Sequence, residues 1–209
     1  YYYYDGLYPY SKDLNTVSFV FDITDRGNPV LTRALTQDGS VLSSRMVGSV
    51  LYTVTRYFVN TSDKKNVETK YAPSVNGDIM LCDDIFVKDT EDECTSYIVL
   101  TAYDTSDADG KIGKVSLLGS CDEIYCSTDT LYAVSSVYKW DSNNENGLDR
   151  TEIYAFSLNG TDVAYKASGI VPGVIDSQYS MDQFGSYFRL TTTDYDYSKD
   201  VAISSLYVL

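Results

Sequence analysis

The 209-residue sequence contains no histidine. That removes the commonest general base and the commonest metal ligand together, and with them any Ser–His nucleophile pair. No GxSxG elbow, P-loop or GxGxxG fingerprint occurs, so the usual acyl-transfer and nucleotide motifs are absent too. No apolar run approaches the roughly 20 residues that a membrane-spanning helix needs. Apolar residues at helical spacing are not sustained over three turns anywhere. Proline occurs four times and tryptophan once. No signal-peptide pattern opens the chain at Tyr1, and Leu209 falls inside strand-like sequence. The sequence is therefore expected to be a piece of a longer protein.

What is present favours strands. Hydrophobic residues make up 44% of the chain, enough for one β domain with a sizeable core, and 21 residues are tyrosine. A tyrosine ring packs on a pleated surface while its hydroxyl reaches water. The 16 basic residues stand against 30 acidic ones, a formal charge of −14. Such a field repels phosphate backbones and anionic membranes, so neither nucleic acid nor a membrane surface is expected as a partner of this segment. Its plain effect is solubility, and its sharper reading is cation binding.

Val17 to Ile23 alternates, with Val17, Phe19, Phe21 and Ile23 on one face. Further strand-like runs occupy residues 49–58, 97–103, 130–138, 152–158 and 187–193, and turn residues separate them at 25–29, 37–39, 107–110 and 158–160. The order of these signals recurs. Val20 to Asp25, Ala102 to Asp107 and Ala155 to Gly160 form one series. Val50 to Val54, Thr130 to Val134 and Ser186 to Leu190 form a second. The step from Tyr103 to Phe156 equals the step from Phe156 to Leu209. The longer step from Phe21 to Tyr103 is explained by one polar insertion, roughly Asn60 to Glu93. A period near fifty with several short strands per unit predicts an all-β fold, a partial β-propeller of about four blades, each a four-stranded antiparallel sheet. A β-sandwich with coincidental spacing is the alternative.

The most specific stretches are Thr151 to Phe156, Ala167 to Gly173, Gln178 to Asp182 and Tyr187 to Thr193, with Ser43 to Gly48, Leu51 to Thr55 and Tyr71 to Val75 before them. They resemble bacterial secreted proteins with a C-terminal β-propeller domain distantly related to WD repeats. The resemblance implies a propeller, an exported protein and a full domain longer than this chain. It transfers no activity and no catalytic residue. Tyr1 to Tyr10 match nothing in it.

Candidate chemistry is sparse. Two loops offer hard oxygen ligands ahead of a glycine and are candidate calcium sites: Asp104, Asp107 and Asp109 before Gly110, and Asp141, Asn143 and Glu145 before Gly147. In both, the glycine falls one position later than in an EF-hand loop, and hairpin turns use the same residues. Asp194, Tyr195 and Asp196 with Asp200 form a weaker candidate. Cys82, Cys94, Cys121 and Cys126 are even in number and admit the local disulfides Cys82–Cys94 and Cys121–Cys126, which would place the chain in an oxidising compartment. The carboxylates of Asp83-Asp84 and of Glu91 to Glu93 are expected on solvated loops. Trp140 borders the second loop, as a core residue or as a stacking platform. The reading that follows is a non-catalytic extracellular module that binds a protein or glycan through propeller loops, with no cofactor other than possible calcium. A carboxylate-dependent hydrolase or lyase at the propeller channel, or a purely structural scaffold, are the alternatives.

Overall fold

A computed structural model describes residues 14–59, 71–88, 94–139, 148–196 and 199–209. In chain order its strands are β1 (Asn15–Asp22), β2 (Val30–Asp38), β3 (Ser40–Val47), β4 (Val50–Phe58), β5 (Ser74–Val75), β6 (Asp78–Ile79), β7 (Ile85–Val87) and β8 (Ser96–Asp104). They continue as β9 (Ile112–Leu118), β10 (Glu123–Cys126), β11 (Thr130–Lys139), β12 (Leu148–Asn159), β13 (Asp162–Pro172), β14 (Met181–Phe184), β15 (Tyr187–Asp196) and β16 (Val201–Val208). Among the described residues the helical content is two short 3-10 turns, Cys82–Asp84 and Gln178–Ser180.

Four sheets follow one another along the chain. The first has the order β1-β2-β5-β6, the second β3-β4-β8-β9-β7, the third β10-β11-β12-β13 and the fourth β14-β15-β16. The third is the regular unit, four strands joined by consecutive antiparallel hairpins. β1, β8, β12 and β16 occupy the same third place, which bears out the first repeat series. The first sheet carries only third- and fourth-place strands of that unit, and the fourth sheet carries the first three.

Cross-strand register makes the equivalence exact at residue level for the second-place strands. Leu51 pairs with Tyr103, Leu131 with Phe156, and Phe188 exchanges backbone hydrogen bonds with Leu209. The second repeat series must therefore be corrected by one position in its third copy: Phe188, not Tyr187, corresponds to Leu51 and Leu131. Side chains alternate faces along a strand, so a slip of one reverses inside and outside. Burial of Phe188 and Leu190, at 3% and 1% exposure, fixes the register.

The sheets pack face to face, and each inner sheet is apolar on both sides. On β8, Tyr97, Val99 and Tyr103 face the first sheet, while Ile98, Leu100 and Ala102 face the third. On β12, Tyr154, Phe156 and Leu158 point back to the second sheet, and Ile153 and Ala155 point on to the fourth. Two covered faces need two sets of apolar side chains, which explains why β8 reads as a continuous apolar run and not as an alternation. Burying each large side chain contributes roughly 1.5–3 kcal/mol. Tyr132 and Phe188 stack between the third and fourth sheets with ring centroids 3.8 Å apart.

The first and second sheets are also held by a buried polar contact. The Gln37 amide donates to Thr55 Oγ1 at 3.1 Å and accepts a bond from the Thr101 hydroxyl. Next to it the chain passes between sheets through Gly39, at φ 97°. A Cβ there would lie 2.4 Å from the Arg56 carbonyl oxygen, so no other residue fits this crossing.

The polar insertion falls between β4 and β8, which are second- and third-place strands. It does more than bulge outward. β5 pairs with Gln37 of β2 and is followed by β6, while β7 runs parallel to β9. Its described part thus widens two neighbouring sheets beyond their fourth-place strands. This is why the first and second sheets depart from the plain four-stranded unit of the third.

Candidate functional site

First-place strands end their sheets at one edge, and three of these edges converge. β3, β10 and the segment leading into β14 border a cleft of about 320 Å³. Its walls are Arg45 on β3, Ile124, Tyr125 and Cys126 on β10, Gln178 and Tyr179 in the 3-10 turn, and Met181 on β14. Tyr179 is 88% exposed at the mouth.

Arg45 crosses the cleft. Its Nη1 donates to Ser43 Oγ and to the Ser44 carbonyl, both at 2.8 Å. Nη2 donates to Gln178 Oε1 at 3.3 Å, linking the second sheet to the fourth. All three acceptors are neutral, and no described carboxylate pairs with Arg45. Opposite it, the Tyr125 hydroxyl accepts the Gln183 backbone N–H at 3.0 Å. Gln183 in turn donates to Asp129 Oδ1 at 3.1 Å. Hydrogen bonds from Ser127 and then Gln183 hold the Asp129 carboxyl below its usual range. A fixed guanidinium and two tyrosines therefore surround the opening, and among the described residues no carboxylate lines it.

Sequence reasoning did not single out Arg45, Tyr125, Gln178 or Tyr179. Ser43 to Gly48 and Gln178 to Asp182 entered only as parts of the family resemblance. The missed signal is that lone arginine, in a first-place strand of a strongly acidic chain with no acidic neighbour in sequence.

Of the calcium candidates, the 104–110 loop and Asp194, Tyr195, Asp196 and Asp200 lie among the described residues. Asp104 Oδ1 accepts the Ser106 backbone N–H at 2.8 Å and its hydroxyl at 2.6 Å, which lowers its pKa. Arg33 donates to the Asp107 and Gly110 carbonyls at 2.8 and 2.7 Å. The Arg33 guanidinium thus engages two backbone oxygens of this loop, and Asp104 caps the turn at Ser106. Among the described residues no group of three or more His, Cys, Asp or Glu converges as a metal site. Asp141, Asn143, Glu145 and Trp140 lie outside the described residues, as do Glu91 to Glu93. In the hairpin after β15, Asp196 pairs with Lys199 at 2.6 Å and Tyr195 hydrogen-bonds Asp200. Asp84 faces Lys114 at 3.7 Å in a second cleft under the insertion.

All four cysteines are free thiols in the structure, so neither the Cys82–Cys94 nor the Cys121–Cys126 pairing is formed. Cys121 and Cys126 instead donate to the Glu123 and Ser127 carbonyls at 3.1 and 3.2 Å. Burial pushes Cys121 up to about 12 and Cys126 up to about 11. Both are therefore protonated near neutrality and poor nucleophiles.

Successive antiparallel sheets packed face to face, with their first-place strands gathered at one cleft, define this chain as a run of propeller blades. A family model described as the beta propeller domain matches residues 2–209, including positions 2–10 that the sequence resemblance left unmatched, and the chain belongs to that family. No curated protein matches it. No helix among the described residues is long and apolar enough to cross a membrane.

Proposed function

We propose that this segment is a non-catalytic extracellular binding module whose ligand, a protein or a glycan, docks in the cleft on the first-place strands. The observation that carries this reading is Arg45, a guanidinium held open between the second and fourth sheets by neutral acceptors and bordered by the exposed Tyr179 ring. A cationic group fixed by its surroundings and without a carboxylate partner among the described residues suits recognition, because its orientation is set before a ligand arrives. Catalysis finds less support there. Among the described residues the cleft walls hold no carboxylate pair, and the thiol in them, Cys126, is kept protonated by burial. The extracellular location rests on the family resemblance. The test is a glycan and peptide array probed with the 209-residue chain and with the Tyr179→Ala variant. Binding that the variant loses supports the cleft. Binding equal in both chains rejects it, and ligand turnover by the wild type rejects the non-catalytic reading.

A further inference from the structure

We infer that the Arg45 cleft takes the carboxylate of a uronic acid residue in an acidic glycan, an assignment that rests on the binding role proposed above. Arginine carries five N–H donors in a rigid fork and accepts no hydrogen bonds. Two are spent on Ser43 and Ser44 and a third on Gln178. One N–H on Nη2 and the Nε N–H have no partner among the described residues. The three bonds already made fix the plane of the guanidinium without cancelling its charge. Two spare donors on one planar cation match the two oxygens of a carboxylate, and such charge-assisted paired bonds are the strong ones.

The rest of the cleft favours a sugar over a peptide. Tyr179 presents an almost fully exposed ring, a flat surface suited to the C–H face of a pyranose. Gln178 and the Tyr125 hydroxyl supply amide and hydroxyl groups of the kind that pair with sugar hydroxyls. A peptide that bound by adding a strand to a sheet edge would need a ladder of backbone bonds. Two of the three edges here, β10 and β14, are only four residues long. At about 320 Å³ the cleft is at the small end for ligand sites, the size of one or two sugar rings. The chain's −14 charge repels a polyanion at long range, so recognition is local, through Arg45.

The test is calorimetric titration of the 209-residue chain with galacturonate oligomers of two to four units, the same oligomers with every carboxyl reduced to an alcohol, and an oligoglutamate peptide. Thermal melts check that each variant folds. The uronate should bind at least about tenfold more tightly than its reduced form. Arg45→Gln should abolish that preference, and Arg45→Lys, which keeps the charge and loses the fork, should restore part of it. Tyr179→Ala, at an exposed position, should weaken both oligomers alike. Equal affinity for acid and reduced oligomers, or a preference that survives Arg45→Gln, overturns the carboxylate assignment. Binding of oligoglutamate through Arg45 without binding of uronate overturns the glycan class and leaves the binding role standing. No binding of either acid overturns the uronate assignment, whereas the binding role falls only if the array also shows no dependence on Tyr179.

Discussion

The ammonium of Lys88 stands 2.7 and 2.6 Å from the two carboxylate oxygens of Glu152, tying the insertion to the third sheet. Glu152 is 4% exposed. The Tyr154 hydroxyl donates to the same carboxylate at 3.0 Å, and Arg150 approaches it to 3.8 Å. Burial, then the neighbouring Glu152 charge, raises the Tyr154 pKa. A carboxylate this deep needs its cation. Lys88→Met should therefore destabilise toward the low end of the about 3–5 kcal/mol that follows when one partner of a buried pair is removed, because Arg150 and Tyr154 remain. Replacing Glu152 by Gln in the same chain should recover part of the loss. Urea unfolding of the two single variants and the double variant measures this, and additive losses would show that the two residues do not interact.

The repeat predicts different costs at equivalent positions. Phe21 and Phe156 hold the same place in third-place strands, yet Phe156 is 2% exposed between two sheets and Phe21 is 51% exposed on the outer face of the first. Phe156→Ala should cost about 3–5 kcal/mol. Phe21→Ala should cost less than about 1 kcal/mol, as a surface change does. Denaturant midpoints compare them, and similar losses would mean that the outer face is covered in solution.

Asp149 supplies a pH dependence. Partial burial, then the nearby Asp194 carboxylate, raises its pKa above the usual carboxylate value. A raised carboxyl pKa means that the folded state holds the proton more tightly than the unfolded chain does. The destabilisation is complete above the folded-state pKa and disappears as pH falls to the unfolded value near 4. Asp149→Asn should accordingly raise Tm at pH 7, and the gap to wild type should close on acidification through that window. A gap independent of pH would assign the effect to packing.

The fold was largely legible because its signals are local. Turn residues such as Gly39 and Gly160, both at positive φ, and the paired apolar sets of β8 and β12 are written in short stretches of sequence. The repeat places the third-place strands correctly, and it slips at Tyr187-Phe188 because two adjacent aromatics leave the face ambiguous until packing decides it. The insertion's pairing with β2 and β9 was not legible, since β5, β6 and β7 are too short to show a period. The candidate site was less legible still. Arg45 and Gln178 are 133 positions apart and meet only because first-place strands from different sheets gather at one edge. Nor does the sequence show that Asp104 caps its own turn or that Arg33 from another sheet bonds the carbonyls of the 104–110 loop.

The central claim is that ligand binds at the first-place-strand cleft and leaves unchanged. Two-dimensional NMR of the isotope-labelled chain, titrated with the tightest array hit, tests it directly. The account predicts shift changes concentrated at Arg45, Tyr125, Gln178 and Tyr179, together with ligand signals that stay constant over hours. Shift changes centred on the 104–110 loop or beneath the insertion at Asp84 and Lys114, or new product signals in the ligand spectrum, would contradict it.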